Sequence, residues 1–151
     1  HFEYQVTSEA ELRHAADKAD ELTVDGACVE AFTDDPITLT EDFTIVERLN
    51  VSLNRNYPED ENETPKYGSL TVPEEKTLTV NGGLNVHEGA SMTVNGWLEN
   101  DSCIYIEWND NGDSVVTFGD GYEYGGGGRG GNGGGNGGGN GGGGFGGGGR
   151  F

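Results

Sequence analysis

The sequence predicts a mainly β domain built as a short β-solenoid, with one helix before it and an extended glycine-rich tail after it. Three observations favour this fold. After Leu22 the hydrophobic pattern changes from a period of 3.6 residues to a period of 2, so strands follow the helix. The strands are short and a turn follows each one. Similar four-residue strands recur at nearly constant spacing. A small β-sandwich is the alternative, although its strands are usually longer.

The chain of 151 residues is long enough for one folded domain with an appended segment. Residues 125–151 contain 20 of the 29 glycines and almost no apolar side chains, so they cannot form a core. We therefore expect an acidic, β-rich head over residues 1–124 and a glycine-rich assembly tail over residues 125–151.

The predicted helix covers about residues 7–22. Ser8 and Glu11 have the spacing of a capping box, in which each side chain accepts a hydrogen bond from the backbone N–H of the other residue. The apolar stripe at spacings of three and four residues consists of Leu12, Ala15, Ala16, Ala19 and Leu22.

Short strands are predicted after the helix, separated by turn residues and by a polar loop over residues 54–67. The predicted strands are Thr23–Val24, Cys28–Phe32, Ile37–Thr40, Phe43–Val46, Leu49–Leu53, Ser69–Val72, Thr77–Val80, Leu84–Val86, Ser91–Val94, Trp97–Leu98, Cys103–Trp108 and Ser114–Phe118. Leu70 precedes Met92 by 22 residues. Leu78 precedes Leu98, and Leu84 precedes Ile104, by 20 residues. Such spacings are typical of a coil in which each strand pairs with the same strand of the next turn.

These motifs resemble the right-handed parallel β-helix of the pectate-lyase-like family. The helix beginning Ser8-Glu-Ala-Glu-Leu12, followed by Ile37-Thr-Leu39 and Phe43-Thr-Ile45, is similar to the start of such a coil, where an amphipathic helix caps the open end. The stretch from Leu70 to Gly96 is similar to later coils. The resemblance implies a right-handed β-helix over about residues 1–106 in a secreted surface protein. The family's enzymes use clustered aspartates with calcium and a basic residue on one face, whereas the basic residues of this head are few and scattered.

Charge is distributed unevenly along the chain. The head has all 27 acidic residues and six of the eight basic ones, giving a formal charge of −21, and the tail carries +2. A head this acidic repels phosphate backbones, so we expect no nucleic-acid partner. No stretch has the roughly 20 apolar residues that cross a bilayer, so we expect no membrane insertion. The start at His1-Phe2 without Met resembles a mature end after cleavage, which favours an extracellular or cell-surface location.

No catalytic constellation is present in the sequence, so we do not expect an enzyme. The three histidines and two cysteines lack the spacing of a zinc site. Asn109, Asn111 and Asp113 have oxygen ligands near calcium-loop spacing, but the twelfth position of that pattern is Phe118. A hairpin turn is the favoured interpretation, and low-affinity calcium binding is the alternative. No other cofactor is expected.

The tail favours a role in assembly. Asn132, Asn136 and Asn140 recur every four residues, and bare glycine backbone can pack closely against neighbouring chains. We therefore expect a homopolymer, a head-to-tail fibre or surface layer, with a flexible linker as the alternative reading of the tail. The predicted assembly residues are Arg129, Asn132, Asn136, Asn140, Phe145, Arg150 and Phe151.

Two further functions stay open. A carbohydrate-binding adhesin head would use aromatic stacking surfaces, for which the candidates are Trp97, Trp108, Tyr105, Tyr122 and Tyr124. An ice-binding protein would use a ladder of hydroxyls. The hydroxyl pairs are Thr38/Thr40, Ser69/Thr71, Thr77/Thr79 and Ser91/Thr93. We expect these pairs to lie on different faces.

Two kinds of covalent modification are predicted. Cys28 and Cys103 are expected to form a disulfide, either within the chain or, as the stacking of coils slightly favours, between subunits; two unpaired thiols are the alternative. The sequons at Asn50, Asn62 and Asn100 are compatible with glycosylation.

Overall fold

A computed structural model describes residues 2–107, 115–118 and 123–125 of the chain. These residues form one helix, α1 (Glu9–Asp20), and thirteen strands. The strands are β1 (Phe2–Gln5), β2 (Val29–Thr33), β3 (Pro36–Thr38), β4 (Phe43–Ile45), β5 (Leu49–Leu53), β6 (Ser69–Val72), β7 (Thr77–Val80), β8 (Gly83–Val86), β9 (Ser91–Val94), β10 (Trp97–Asn100), β11 (Cys103–Ile106), β12 (Val115–Phe118) and β13 (Glu123–Gly125). The domain is therefore mainly β, as predicted.

The strands form three parallel sheets. Sheet A has the order β1-β2-β5-β8-β11, sheet B has β3-β6-β9-β12 and sheet C has β4-β7-β10-β13. From β2 onward the chain visits sheets A, B and C in the same cyclic order, and we call each set of three strands a circuit. All ten strand pairings are parallel. The β-sandwich alternative is wrong, because such sandwiches pair their strands antiparallel.

The register of the sheets agrees with the spacings in the sequence. Leu70 is the register partner of Met92, and Leu78 is the partner of Leu98. Leu84 pairs in the same way with Ile104. A circuit is thus as short as 20 residues, and the longer ones contain extra loop residues between strands.

The core consists of columns of aliphatic side chains that stack from circuit to circuit. Because strand side chains alternate between faces, each four-residue strand points two residues inward. In sheet A the column Val51, Leu84 and Ile104 is at most 1% exposed. Burying such a side chain fully contributes about 1.5–3 kcal/mol. Asn100 is a polar exception at an inward position, and its Oδ1 accepts a hydrogen bond from the Ser102 N–H at 3.1 Å.

Helix α1 begins and ends about two residues inside the predicted bounds and carries the predicted apolar face. Ser8 is the N-cap, and its Oγ accepts a hydrogen bond from the Glu11 N–H at 3.2 Å. The Glu11 carboxylate accepts from the backbone and hydroxyl of Thr7, so the reciprocal half of the box lies one residue earlier than predicted. The buried residues of the stripe are Leu12, Ala15, Ala16 and Ala19. They pack α1 against β2, β4 and β5, at the end of the core where sheets B and C begin.

A polar clamp fixes α1 to the segment between β3 and β4. Glu9 accepts hydrogen bonds from the N–H and hydroxyl of Thr40, at 2.9 and 2.8 Å. Arg13 pairs with Glu9 at 2.8 Å and donates to the backbone carbonyls of Glu41 and Asp42. Burial raises the pKa of Glu9, but hydrogen bonds from Thr40 and Arg13 lower it more, so the pKa lies below its ordinary value of 4.5. The clamp is therefore built around an ionised carboxylate.

Three glycines mark corners where the chain enters a strand. A Cβ on Gly82 would lie 2.2 Å from the carbonyl oxygens of Leu49 and Val46. Gly96 and Gly68 meet backbone oxygens of the preceding circuit at the same 2.2 Å. At these corners the backbone of one circuit touches the backbone of the previous one, which leaves no room for a side chain.

The structure departs from the prediction at three elements. Thr23–Val24 is a loop, because the chain there returns from α1 to β2 over exposed residues. Strand β1 was not predicted; its outer position on sheet A leaves it largely exposed, so it lacks the buried alternation that marks the other strands. Strand β13 was also not predicted, since it ends in the first residue of the glycine tail.

Substitution Glu9→Gln tests the clamp. A lowered folded-state pKa stabilises the protein above the unfolded value and loses that effect as the pH falls through the folded value. We expect Glu9→Gln to lower the free energy of unfolding by about 1–2 kcal/mol at pH 7, and the difference from wild type to shrink below about pH 4. Urea unfolding at both pH values measures this. Glu21→Gln is the control, since Glu21 forms an exposed pair with Lys18. A loss that is independent of pH would contradict the clamp.

Adjacent glycines allow a matched test of the corners. Gly82→Ala places a methyl group against two backbone carbonyls and should cost about 1–3 kcal/mol of stability. At Gly83 the nearest atom is Oδ1 of the Asn50 side chain, which can rotate away, so Gly83→Ala should cost about 0.5 kcal/mol or less. Chemical denaturation of both variants gives the comparison. Equal losses would show that close packing of the backbone does not decide the corner.

Candidate functional site: a cleft beside the 54–68 loop

The loop over residues 54–68 leaves the circuits after β5 and returns at β6. Its base is closed by hydrogen bonds from Asn54 N–H to the Thr33 carbonyl at 2.8 Å and from Gly68 N–H to the Asn54 carbonyl at 2.5 Å. Arg55 and Tyr67 form an isolated antiparallel bridge. Lys66 Nζ lies 2.7 Å from Asp35 Oδ1, and this contact raises the pKa of Lys66. The segment predicted as a polar loop therefore begins and ends as a narrow, hydrogen-bonded ribbon.

One arginine and two tyrosines form one wall of a cleft. The guanidinium carbon of Arg55 lies 5.0 Å from the ring centroid of Tyr57 and 5.7 Å from that of Tyr67, which is cation–π geometry. Tyr57 is 80% exposed and Tyr67 is 42% exposed. Arg55 Nε is buried and has no hydrogen-bond partner among the described residues. Leaving such a donor unpaired costs about 1–3 kcal/mol, so an acceptor from outside the chain would be favourable.

The ring of Tyr67 packs closely against Gly89. A Cβ at residue 89 would lie 2.4 Å from Tyr67 Cε1, and the backbone there has φ +88°. Both the close approach and the left-handed backbone favour glycine at this turn. The ring of Tyr67 therefore packs against backbone, with no side chain at residue 89 between them.

The opposite wall is a column of polar residues that follows the strands of sheet A. Leu53, Val86 and Ile106 are register partners at the ends of β5, β8 and β11. The residues directly after them are Asn54, His87 and Glu107. Glu107 Oε1 lies 3.5 Å from His87 Nδ1 and accepts a hydrogen bond from the Glu88 N–H at 3.4 Å. Parallel pairing thus brings together side chains that are about 20–33 residues apart in sequence.

Between these walls lie two adjoining depressions of about 300 and 260 Å³, which share Arg55 and Glu88 in their linings. We call them together the loop cleft. Its lining residues are Asn54, Arg55, Tyr57, Tyr67, His87, Glu88, Gly89 and Glu107. The volume is at the lower end of the range for small-molecule sites, and the lining is aromatic and polar.

Sequence reasoning did not identify this cleft. It placed Arg55, Tyr57 and Tyr67 in a polar loop and His87 in a turn, with no role for any of them. The available signal was the alternation of Arg55 and Tyr57 at one end of an otherwise acidic insertion, and Lys66-Tyr67 at the other. That the two ends meet, and that they face the residue after β8, depends on pairing across sheets.

The aromatic candidates from the sequence do not form one stacking surface. Trp97 projects outward from sheet C, where its Nε1 donates to Glu99 Oε2 at 2.9 Å. Tyr105 projects outward from sheet A. Tyr124 lies in β13, and Trp108 and Tyr122 fall outside the described residues. Of the five candidates, the two whose side chains the structure describes, Trp97 and Tyr105, are therefore on different sheets.

The predicted calcium residues Asn109, Asn111 and Asp113 also fall outside the described residues, as do all seven predicted assembly residues. In the part of the chain that is described, no group of three or more His, Cys, Asp or Glu side chains is arranged to hold a metal ion.

The three sequons differ in accessibility. Asn62 is exposed in the loop, as a glycan acceptor requires. Asn50 is half-buried, and its side chain lies against Gly83 of the next strand in sheet A. Asn100 is fully buried and its Oδ1 accepts a hydrogen bond from Ser102 N–H, so a glycan on Asn100 is not compatible with the folded domain.

Contrary to prediction, two of the four hydroxyl pairs, Ser69/Thr71 and Ser91/Thr93, share one face of sheet B with Thr38 of a third pair, whereas Thr40 lies beyond the end of β3. Together with Thr117 of β12, the members on sheet B form a threonine ladder and a serine pair in register. The ladder is Thr38, Thr71, Thr93 and Thr117, and the pair is Ser69 and Ser91. Thr77 and Thr79 lie on sheet C. The expectation of different faces failed because strands far apart in sequence stack directly. Cross-strand threonine pairs stabilise such a sheet.

The two cysteines lie at strands of sheet A that are not neighbours. Cys28 directly precedes β2, and Cys103 begins β11. Three strand spacings lie between these strands, or roughly 14 Å at ~4.8 Å each. A disulfide needs Cα atoms within about 7 Å, so the geometry does not allow this bond within one chain. A bond between chains stays a prediction.

Comparison with protein families, with curated proteins and with solved structures finds no match to this chain. In the described residues, no helix has both the length and the apolar character that crossing a bilayer requires. The function of the protein is therefore inferred from the geometry and chemistry of its own residues.

Electrophoresis without reductant tests the order of sheet A. After complete denaturation of oxidised protein, we expect monomers or covalent multimers joined through Cys28 and Cys103, because the two residues are too far apart in one chain. A Cys28→Ser variant should lose any multimer ladder. A compact, fast-migrating monomer that disappears in Cys28→Ser would contradict the strand order.

Proposed function

We propose that the chain is a non-catalytic extracellular structural protein, the subunit of a self-assembling fibre or surface layer. In this proposal the head is a right-handed β-solenoid and the glycine-rich tail makes the contacts between subunits. The observation that carries the proposal is the uniform parallel pairing of three sheets, which continues from the first circuit to the last described strands.

The solenoid interpretation rests on the cyclic order of the sheets. Each circuit places one strand in each sheet and advances by one strand spacing. Crossover connections between parallel strands of one sheet are right-handed in about 98% of cases, which favours a right-handed coil. Such a coil is a rigid scaffold because each circuit contacts mainly its neighbours through backbone hydrogen bonds and stacked aliphatic side chains.

The two ends of the head favour directional assembly. At the first circuit α1 packs across the core, fixed by the Glu9–Arg13 clamp. At the other end β11, β12 and β13 each pair on one side only among the described strands. Strand edges of this kind are templates for addition of another extended chain. Glycine-rich backbone suits such pairing because it has no side chains that would clash with the strand edge.

Charge supports contact between the tail of one subunit and the head of another. The head carries −21 and the tail +2, with both tail charges on arginine. Arginine binds carboxylates through two parallel hydrogen bonds. We therefore assign Arg129 and Arg150 to contacts with acidic residues of a neighbouring copy.

Electron microscopy of the purified chain tests this proposal. We expect filaments or sheets from the full chain and single particles after deletion of residues 125–151, with the circular dichroism of the head unchanged. Arg129→Ala/Arg150→Ala in the full chain should slow assembly and reduce its dependence on salt, because screened charge contacts are lost. Identical filaments from the truncated head would show that the tail is only a linker. Single particles from the full chain would contradict the proposed function.

A further inference from the structure

We propose that the loop cleft binds a neutral glycan. This inference goes beyond assembly and does not rest on it, because the cleft is complete within one copy of the head. The residues that carry it are the two tyrosines, the arginine between them and the two glutamates opposite.

The tyrosines provide the stacking surface. A pyranose ring has a face of C–H groups that packs on aromatic rings, and its edges have hydroxyls that need polar partners. Tyr57 is 80% exposed, which is unusual for so large an apolar surface in a folded head. Arg55 covers one part of each ring and holds the two tyrosines beside one another. The stacking surface is therefore supported before any ligand arrives.

The charges in the cleft select against anions and suit groups that both donate and accept hydrogen bonds. Arg55 lines both depressions and is opposed by Glu88, which also lines both, and by Glu107, which lines one. An anionic ligand would meet two carboxylates, and a cationic ligand would meet the guanidinium. A sugar hydroxyl both donates and accepts hydrogen bonds, so it can satisfy a carboxylate and an arginine at the same time. A neutral polyhydroxyl ligand fits this pattern best.

The position of the cleft keeps it accessible in an assembly. It lies at the carboxyl ends of the strands of sheet A and beside the 54–68 loop, and of its lining residues only Glu107, directly after β11, adjoins the edges of β11, β12 and β13 that strand addition would use. An assembly would then present one cleft per subunit at regular intervals. Weak individual sites displayed in this way bind a polymer with increased avidity.

Isothermal titration calorimetry of the full chain tests the inference. The probes are neutral hexasaccharides of β-1,4-linked glucose, xylose and mannose, with a galacturonate hexasaccharide as the acidic comparison. We expect saturable binding of at least one neutral probe and weaker binding of galacturonate. Tyr57→Ala should weaken that binding roughly tenfold, because it removes an aromatic stacking partner. Trp97→Ala is the matched control: it removes an exposed aromatic residue from sheet C and should leave binding unchanged.

A second variant guards against effects on folding. Tyr57 is largely exposed, so Tyr57→Ala should keep the wild-type unfolding midpoint. If the midpoint falls, glycan binding by the Glu88→Gln variant tests the inference instead. Glu88→Gln keeps the size of the side chain and removes its charge, and we expect it to weaken neutral-glycan binding and to strengthen galacturonate binding. The inference is overturned by a lack of saturable heat with every neutral probe, by preference for galacturonate in the wild type, or by equal losses in Tyr57→Ala and Trp97→Ala. Filament formation is measured separately, so either proposal can fail alone.

Discussion

Parallel pairing in register is the constraint on which this structure depends. It places each inward side chain directly on its counterpart one circuit earlier, so the core is a set of aliphatic columns that are almost fully buried. Regular strands of two inward residues follow from it, because a short circuit has room for little more. The corner glycines follow as well. Where the chain turns into the next sheet, successive circuits approach through their backbones, and a side chain at Gly82 or Gly96 would occupy the place of a carbonyl oxygen.

The same constraint leaves the first and the last circuit without a neighbouring circuit on one side, and these two ends differ. A stack of circuits has exposed edges and an exposed core at its first and last turns. At the first turn an amphipathic helix buries its alanine-rich face on the core, and an ionised glutamate and an arginine tie it to the loop before β4. At the other end the last described strands are edges of their sheets, as β1, β3 and β4 are at the first turn, but the described residues place no helix across them. This asymmetry, together with the opposite charges of head and tail, makes assembly in one direction the natural proposal.

Stacking also organises the surface, and the loop cleft is its clearest product. Residues that follow equivalent strands fall into one column, which brings Asn54, His87 and Glu107 together without any local sequence signal. The 54–68 loop then adds an arginine held between two tyrosines. On sheet B the same rule aligns four threonines. The proposed glycan-binding cleft and the proposed assembly through the ends of the head are compatible, since only Glu107 of the cleft adjoins a strand edge used in assembly.

The sequence by itself determined the local elements: the capped helix with its buried stripe, most of the short strands and the spacing of 20 to 22 residues between partners. These depend on neighbouring residues, whose periodicity is visible in one chain. Only the tertiary structure decided which strands share a sheet. It therefore decided that Asn100 is buried, that the hydroxyl pairs of sheet B align, that Cys28 and Cys103 lie far apart, and that Arg55 and Tyr67 face His87 and Glu88. Each of these depends on contacts between residues distant in sequence, and a local pattern of polarity is the same whichever partner the strand receives.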